Sequence, residues 1–110
     1  TGECAGLSRS QRRALLVATL EASAGRVPVM GGANGTHFED IVADLEMCAE
    51  VGAVGALVPP PFYYPLSDDA VQSYFEALAD RSPTPIFLYH IPRMTKVPIN
   101  VAVVEQLEGQ

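Results

Sequence analysis

A single lysine, Lys96, stands among the 110 residues, and cationic side chains together number 7 against 13 acids. The net charge of -6 leaves no basic stripe, and the cations are scattered, so nucleic acid is excluded as a partner. No apolar run nears the roughly 20 residues that cross a bilayer, and no leader pattern of charge followed by an apolar stretch occurs, so neither a membrane span nor a signal peptide is expected. Cysteine is scarce as well. Cys4 and Cys48 lack the spacing of a metal site, and they suit reduced thiols in a cytoplasm better than a disulfide framework. The first residue is Thr1 rather than methionine and the last residues fall in a helical pattern, so both ends are expected to be cuts. What the chain does have is 48% apolar residues, enough for one modest core in an ordinary soluble globular domain.

The stretch that organises the rest is Phe87-Leu88-Tyr89-His90-Ile91-Pro92. Pro85 to Leu88 reads as a fully buried strand, apolar without alternation, and Pro92 stops it, so the Tyr89 phenol falls at the strand's C-terminal edge. Upstream, Ser8 with Gln11 forms a capping-box pattern for a helix from about Arg9 to Ala24, with Gly25 as its left-handed stop. A strand near 27–31 and a glycine-rich turn follow. Thr36 with Glu39 is a second capping-box pattern, opening a helix whose stripe is Phe38, Ile41, Val42, Leu45 and Ala49, with His37 in its first turn and Gly52 as its stop. A strand near 54–58 then leads into the stiff loop Pro59-Pro60-Pro61-Phe62-Tyr63-Tyr64-Pro65. Ser67 caps a third helix with Asp68 and Asp69 in its first turn. The third strand, near 85–89, is followed by a loop through Lys96 and a fourth helix after Asn100.

Strand ends at Gly31, Val58 and Tyr89 lie 27 and 31 residues apart, the size of a βα unit with right-handed crossovers and parallel strands. Two α/β architectures fit: a doubly wound open sheet, with helices on both faces, and an arc of an eight-stranded barrel, with helices on one. The glycines at 31, 32 and 35 follow a strand as a phosphate cradle would, but no dinucleotide or Gly-Lys-Ser/Thr fingerprint is present. His37 and His90 fall at the same sheet edge without a third ligand at metal spacing, so no metal site is expected.

Tyr89-His90-Ile91-Pro92, the loop Pro61-Phe62-Tyr63-Tyr64-Pro65-Leu66-Ser67 and the start Thr1-Gly2-Glu3 together resemble the dihydrodipicolinate synthase and N-acetylneuraminate lyase family, in the family's order and over the whole chain. The resemblance implies a partial (β/α)8 barrel, a single incomplete domain running from the end of strand two to the helix after strand five. It implies an enzyme that joins a lysine to pyruvate or another 2-oxo acid as a Schiff base, for condensation with or cleavage to an aldehyde. No cofactor is implied, and the full-length enzyme would be a homo-oligomer, dimer or tetramer. Tyr89 matches the tyrosine beside the Schiff-base lysine, whose phenol shuttles protons. Tyr63 matches the aromatic that completes that relay across a subunit interface. Thr1 matches a hydroxyl residue of the loop that holds the 2-oxo acid carboxylate. Phe62 and Tyr64 are read as packing or interface residues.

Three positions depart from the family pattern. Met94 stands where synthases carry an arginine for the aldehyde's carboxylate, with Arg93 one place early. Lys96 replaces a common glycine and His90 a common asparagine. The apolar residue at 94 and the Pro-Phe-Tyr-Tyr-Pro run look more like the lyases and sugar-acid aldolases. Lys96 itself is read as a solvated surface residue. Adding the repeat to Tyr89 puts the next strand's end near residue 116 to 120, roughly one βα unit on. The family's lysine belongs on that strand, so the segment lacks its nucleophile. The other reading is a small stand-alone α/β binding or interaction module.

Overall fold

A computed structural model describes residues 2–108. A 3-10 turn at Cys4–Gly6 leads into α1 (Arg9–Ser23), followed by β1 (Gly31–Gly32), α2 (Phe38–Val51), β2 (Ala56–Val58), α3 (Asp68–Arg81), β3 (Ile86–Leu88), the short α4 (Pro92–Thr95) and α5 (Val101–Leu107). The strands form one parallel sheet in the order β1-β2-β3, with Gly31 opposite Ala56 and Ala56 opposite Ile86.

The helix starts follow from local chemistry. At Ser8 both halves of the capping box form: Gln11 N–H donates to Ser8 Oγ at 3.3 Å, and Ser8 N–H donates to Gln11 Oε1 at 2.8 Å. Ser67 Oγ accepts from Ala70 N–H at 3.3 Å. The box expected at Thr36 and Glu39 does not form. The cap of α2 is His37, which makes no side-chain cap bond and shifts the third helical position to Asp40. Glu39 reaches α3 instead, where Arg81 donates to both its carboxylate oxygens at 3.2 and 3.0 Å. The left-handed Ala24 ends α1 one residue early, and the left-handed Gly52 ends α2 with its N–H on the Ala49 and Cys48 carbonyls.

The first strand begins later than the apolar run suggests. Val27 is exposed, its carbonyl accepts from Ser23 Oγ at 2.9 Å, and Pro28 has no N–H to give a ladder. Pairing takes hold at Val29, whose carbonyl accepts from Val54 N–H at 2.9 Å.

Burial is one-sided. Gly31, Ala33, Ala56 and Val58 face Ile41, Leu45, Val71, Phe75 and Leu78 in a single core under α2 and α3. Fully burying a side chain such as Leu45 or Leu78 stabilises the fold by about 1.5–3 kcal/mol. The other face carries Leu57 and Phe87 in alternation with the buried set, and Phe87 is 45% exposed. The expectation of a strand buried on both faces is therefore wrong for β3, because no layer among the described residues covers that side. Helices on one face and an open, apolar opposite face are the arrangement of a barrel arc, not of a doubly wound sheet.

Candidate active site

Side chains alternate along β3, so Tyr89 shares the open face with Phe87, two residues before it. Tyr89 N–H donates to the Val58 carbonyl at 2.8 Å, the last rung between these strands, which places Tyr89 at the sheet's C-terminal end. The loops leaving all three strands gather there. A cleft of about 350 Å³ is bounded by Glu3 and Leu7, by Asn34 and Gly35 after β1, by Pro59 and Phe62 after β2, and by Tyr89, Ile91 and Met94 after β3. A second cleft of about 410 Å³ runs along β1 and α1 past Gly32, Leu15 and Met30. Tyr89, Arg12, Asn34 and Cys4 line both.

Arg12 is held by a cluster that spacing alone does not suggest. Its Nη2 donates to Asp44 Oδ2 at 2.7 Å and its Nη1 to the Leu7 carbonyl at 3.3 Å. Arg9 Nε donates to the other Asp44 oxygen at 2.8 Å, and its Nη2 to Asp40 Oδ1 at 3.2 Å. The hydrogen bonds to Asp44 and Asp40 raise the Arg9 guanidinium above its ordinary range. Asp44 is fully buried among Ile41, Leu45 and Cys48 on the inner stripe of α2. A carboxylate at that position needs paired cations, and Arg9 and Arg12 share the facing side of α1 one turn apart. That was the signal available in the sequence.

The expected site residues divide. Tyr89 reaches both clefts. Tyr63 sits in the loop at the same end of the sheet, yet lines neither cleft. It is 82% exposed, holds φ at 93°, and packs edge-on against Tyr64 at 4.9 Å. Its neighbour Phe62, expected only to pack, takes the place in the cleft wall. Thr1 lies outside the described residues; Gly2 and Glu3, which follow it, line the second and first clefts respectively. His90 turns back so that its Nδ1 accepts Ile99 N–H at 3.1 Å, as the oxygen of an asparagine there would. His37 is exposed beside Asp40, at 3.5 Å. Among the described residues no three His, Cys, Asp or Glu side chains stand where they would hold a metal ion. No helix among them is long and apolar enough to cross a membrane. Lys96 is exposed, caps α4 with φ at 61°, and donates from Nζ to the Arg93 carbonyl at 2.9 Å, away from both clefts. Burial pushes the Cys48 thiol up to about 11, which leaves it inert.

The sequence matches the dihydrodipicolinate synthetase family over residues 1–109. The chain belongs to that family. A 4-hydroxy-tetrahydrodipicolinate synthase of Rhodospirillum centenum is 32% identical over 97% of this chain and 37% of the relative. The dihydrodipicolinate synthase structure from Aquifex aeolicus is 29% identical, superposes with a TM-score of 0.90, and is matched over 99% of this chain and 37% of its own. YagE, a prophage protein of the same family from E. coli K12, solved in complex with pyruvate, is 30% identical with a TM-score of 0.88 over 96% of this chain and 36% of its own. The chain spans little more than a third of the length of the curated relatives it matches. Its three βα units form an arc of the (β/α)8 barrel of the dihydrodipicolinate synthetase family, and the cleft bounded by the loops after β1, β2 and β3 opens at the strand ends where such barrels carry their chemistry.

Proposed function

We propose that the chain is an internal arc, from the end of strand two to the helix after strand five, of a Schiff-base lyase or aldolase acting on pyruvate or another 2-oxo acid and an aldehyde. The observation that carries this reading is Tyr89 at the C-terminal end of β3, lining both clefts on the open face. In the proposed reaction a neutral lysine amine attacks the 2-oxo carbonyl carbon. The Tyr89 phenol gives a proton to the carbinolamine hydroxyl as it leaves as water and takes one back when the imine passes to its enamine, which bonds to or departs from the aldehyde carbon. No bound cofactor is required. The lysine belongs on the strand after α5, not at Lys96, whose ammonium is exposed and tied to Arg93. Thr1 and the backbone beside it hold the 2-oxo acid carboxylate. Tyr63, strained and turned outward, completes the proton relay of a second copy across the interface of a homo-oligomer. The open apolar face formed by Leu57 and Phe87 supports a barrel over a self-contained binding module.

Borohydride reduction of the full-length enzyme with pyruvate, followed by peptide mapping, tests the reading. A stable adduct on a lysine outside residues 1–110 is expected. An adduct on Lys96, or none at all, refutes it.

A further inference from the structure

We propose that Arg12 and the buried Asp44 are positioning residues for the 2-oxo acid carboxylate: together they fix the turn that follows Thr1 as a wall of the clefts that Tyr89 lines. The inference rests on the Schiff-base reading above, in which Thr1 and the backbone beside it hold that carboxylate. Gly2 and Glu3 both stand in the left-handed region, at φ 66° and 52°. The turn then closes on itself, with Gly6 N–H donating to the Glu3 carbonyl at 2.9 Å and Leu7 N–H to the Cys4 carbonyl at 3.2 Å. A turn with a strained non-glycine residue keeps its shape only where its surroundings hold it. Its exit is held twice from α1: Ser8 N–H donates to Gln11 Oε1 at 2.8 Å, and the Leu7 carbonyl accepts from Arg12 Nη1 at 3.3 Å. Cys4 and Leu7 of this turn line both clefts, as Tyr89 does.

Helices α1 and α2 could be joined without charge. Well-packed apolar side chains at 12 and 44 would join them as firmly, since desolvating a buried ion pair costs about what its attraction returns. Apolar side chains could not hold a carbonyl. Arg12 offers a planar fork instead: Asp44 Oδ2 takes Nη2 at 2.7 Å and so orients the guanidinium, which leaves Nη1 on the Leu7 carbonyl. Arg9 takes the other Asp44 oxygen at 2.8 Å and gives its Nη2 to the Asp40 carbonyl and carboxylate at 3.0 and 3.2 Å. The two cations therefore tie different things. The Arg9 bonds join helix to helix, whereas the Arg12 bonds join both helices to the wall of the clefts.

The test uses the full-length enzyme, trapped with borohydride in the presence of pyruvate or of methyl pyruvate, which keeps the reacting ketone and lacks the free carboxylate. The parent should prefer pyruvate. Replacing both partners together, Arg12→Met with Asp44→Leu, removes the fork and leaves neither of the two unpaired, so the denaturant midpoint should stay at or above that of the parent. The ratio of trapping rates, pyruvate over methyl pyruvate, should nevertheless fall on the order of tenfold. Arg9→Met should do the converse, with a lower midpoint and the parent's ratio. Arg12→Lys keeps a cation for Asp44 without the fork, and it should show the same fall whether or not the double variant is recovered folded. An unchanged ratio in the folded double variant, or in Arg12→Lys where the double variant is not recovered, overturns the inference. So does an equal fall in Arg9→Met, which assigns the effect to the helix joint, or a parent that traps both ketones alike; each of these leaves the Schiff-base reading standing. Failure to trap pyruvate in the parent overturns both.

Discussion

Asp44 joins α1 to α2, and its burial makes the joint unequal. Arg12 is mostly buried beside it whereas Arg9 is half exposed, so water and salt screen the Arg9 share more than the Arg12 share. In the full-length enzyme, Asp44→Ala leaves two guanidinium groups facing an apolar stripe and should destabilise the fold by about 3 kcal/mol, read as a lower denaturant midpoint at unchanged slope. A midpoint within error of the parent would mean that solvent already reaches the carboxylate. Tyr89 calls for a different measurement. Tyr89→Phe keeps the ring and loses the proton, so turnover of the full-length enzyme should fall roughly a hundredfold while pyruvate remains trappable by borohydride. Unchanged turnover would take Tyr89 out of the mechanism. At this scale the sequence is uneven. Tyr89 could be read because an apolar run ends on it and Pro92 follows, whereas Arg12 and Asp44 are distant in sequence and meet only once two helices pack. Tyr63 could be placed in its loop, but which of Phe62, Tyr63 and Tyr64 turns inward depends on a positive φ that no spacing reveals.

Helices were more legible than strands because each carries its own start and stop. Ser8 and Ser67 cap where expected, while Thr36 fails because the next residue takes the cap and Arg81 draws Glu39 away. The α4 turn at Pro92–Thr95 is too short for any apolar period to mark it in the sequence. Strand ends blur because pairing depends on a neighbour far along the chain. The close fit of β1 to α2 gives one prediction. A Cβ at Gly31 would overlap Cys48 Sγ and crowd Leu16 at 3.1 Å, so Gly31→Ala in the full-length enzyme should destabilise by about 1–3 kcal/mol, and Cys48→Ala should return part of that in the double variant. Additive losses would show that the strand shifts as a whole. A second concerns pH. Arg81 donates to both oxygens of Glu39 and holds its carboxyl below the ordinary value of 4.5. A carboxylate whose folded value is depressed adds stability that is complete above its unfolded value and fades as pH falls through the folded one. The gap in stability between the full-length parent and its Glu39→Gln variant should therefore be present at neutral pH, close on acidification, and shrink in high salt. A gap that persists in strong acid would assign it to packing against Phe38, whose ring lies 6.0 Å from the Arg81 guanidinium.

For the molecule as a whole, the repeat length made parallel βα units legible but left a doubly wound sheet and a barrel arc both open, since apolar strand residues look alike whether or not a layer covers the second face. Met30 and Phe87 are each close to half exposed, and β1 and β3 each have an unpaired edge within the described sheet. The 110 residues taken alone should then be poorly soluble or molten despite a net charge of -6, and Lys96 should form no trappable adduct with pyruvate. A cooperative two-state monomer would show instead a self-sufficient domain. The strand order has a further consequence for how the molecule is made. β1 pairs with β2 and β2 with β3, so when β2 and β3 leave the ribosome the strand each docks on has already emerged. The sheet can grow rung by rung at the pace of translation, with the helix that precedes each new strand laid down before it and the leading edge open to the next strand.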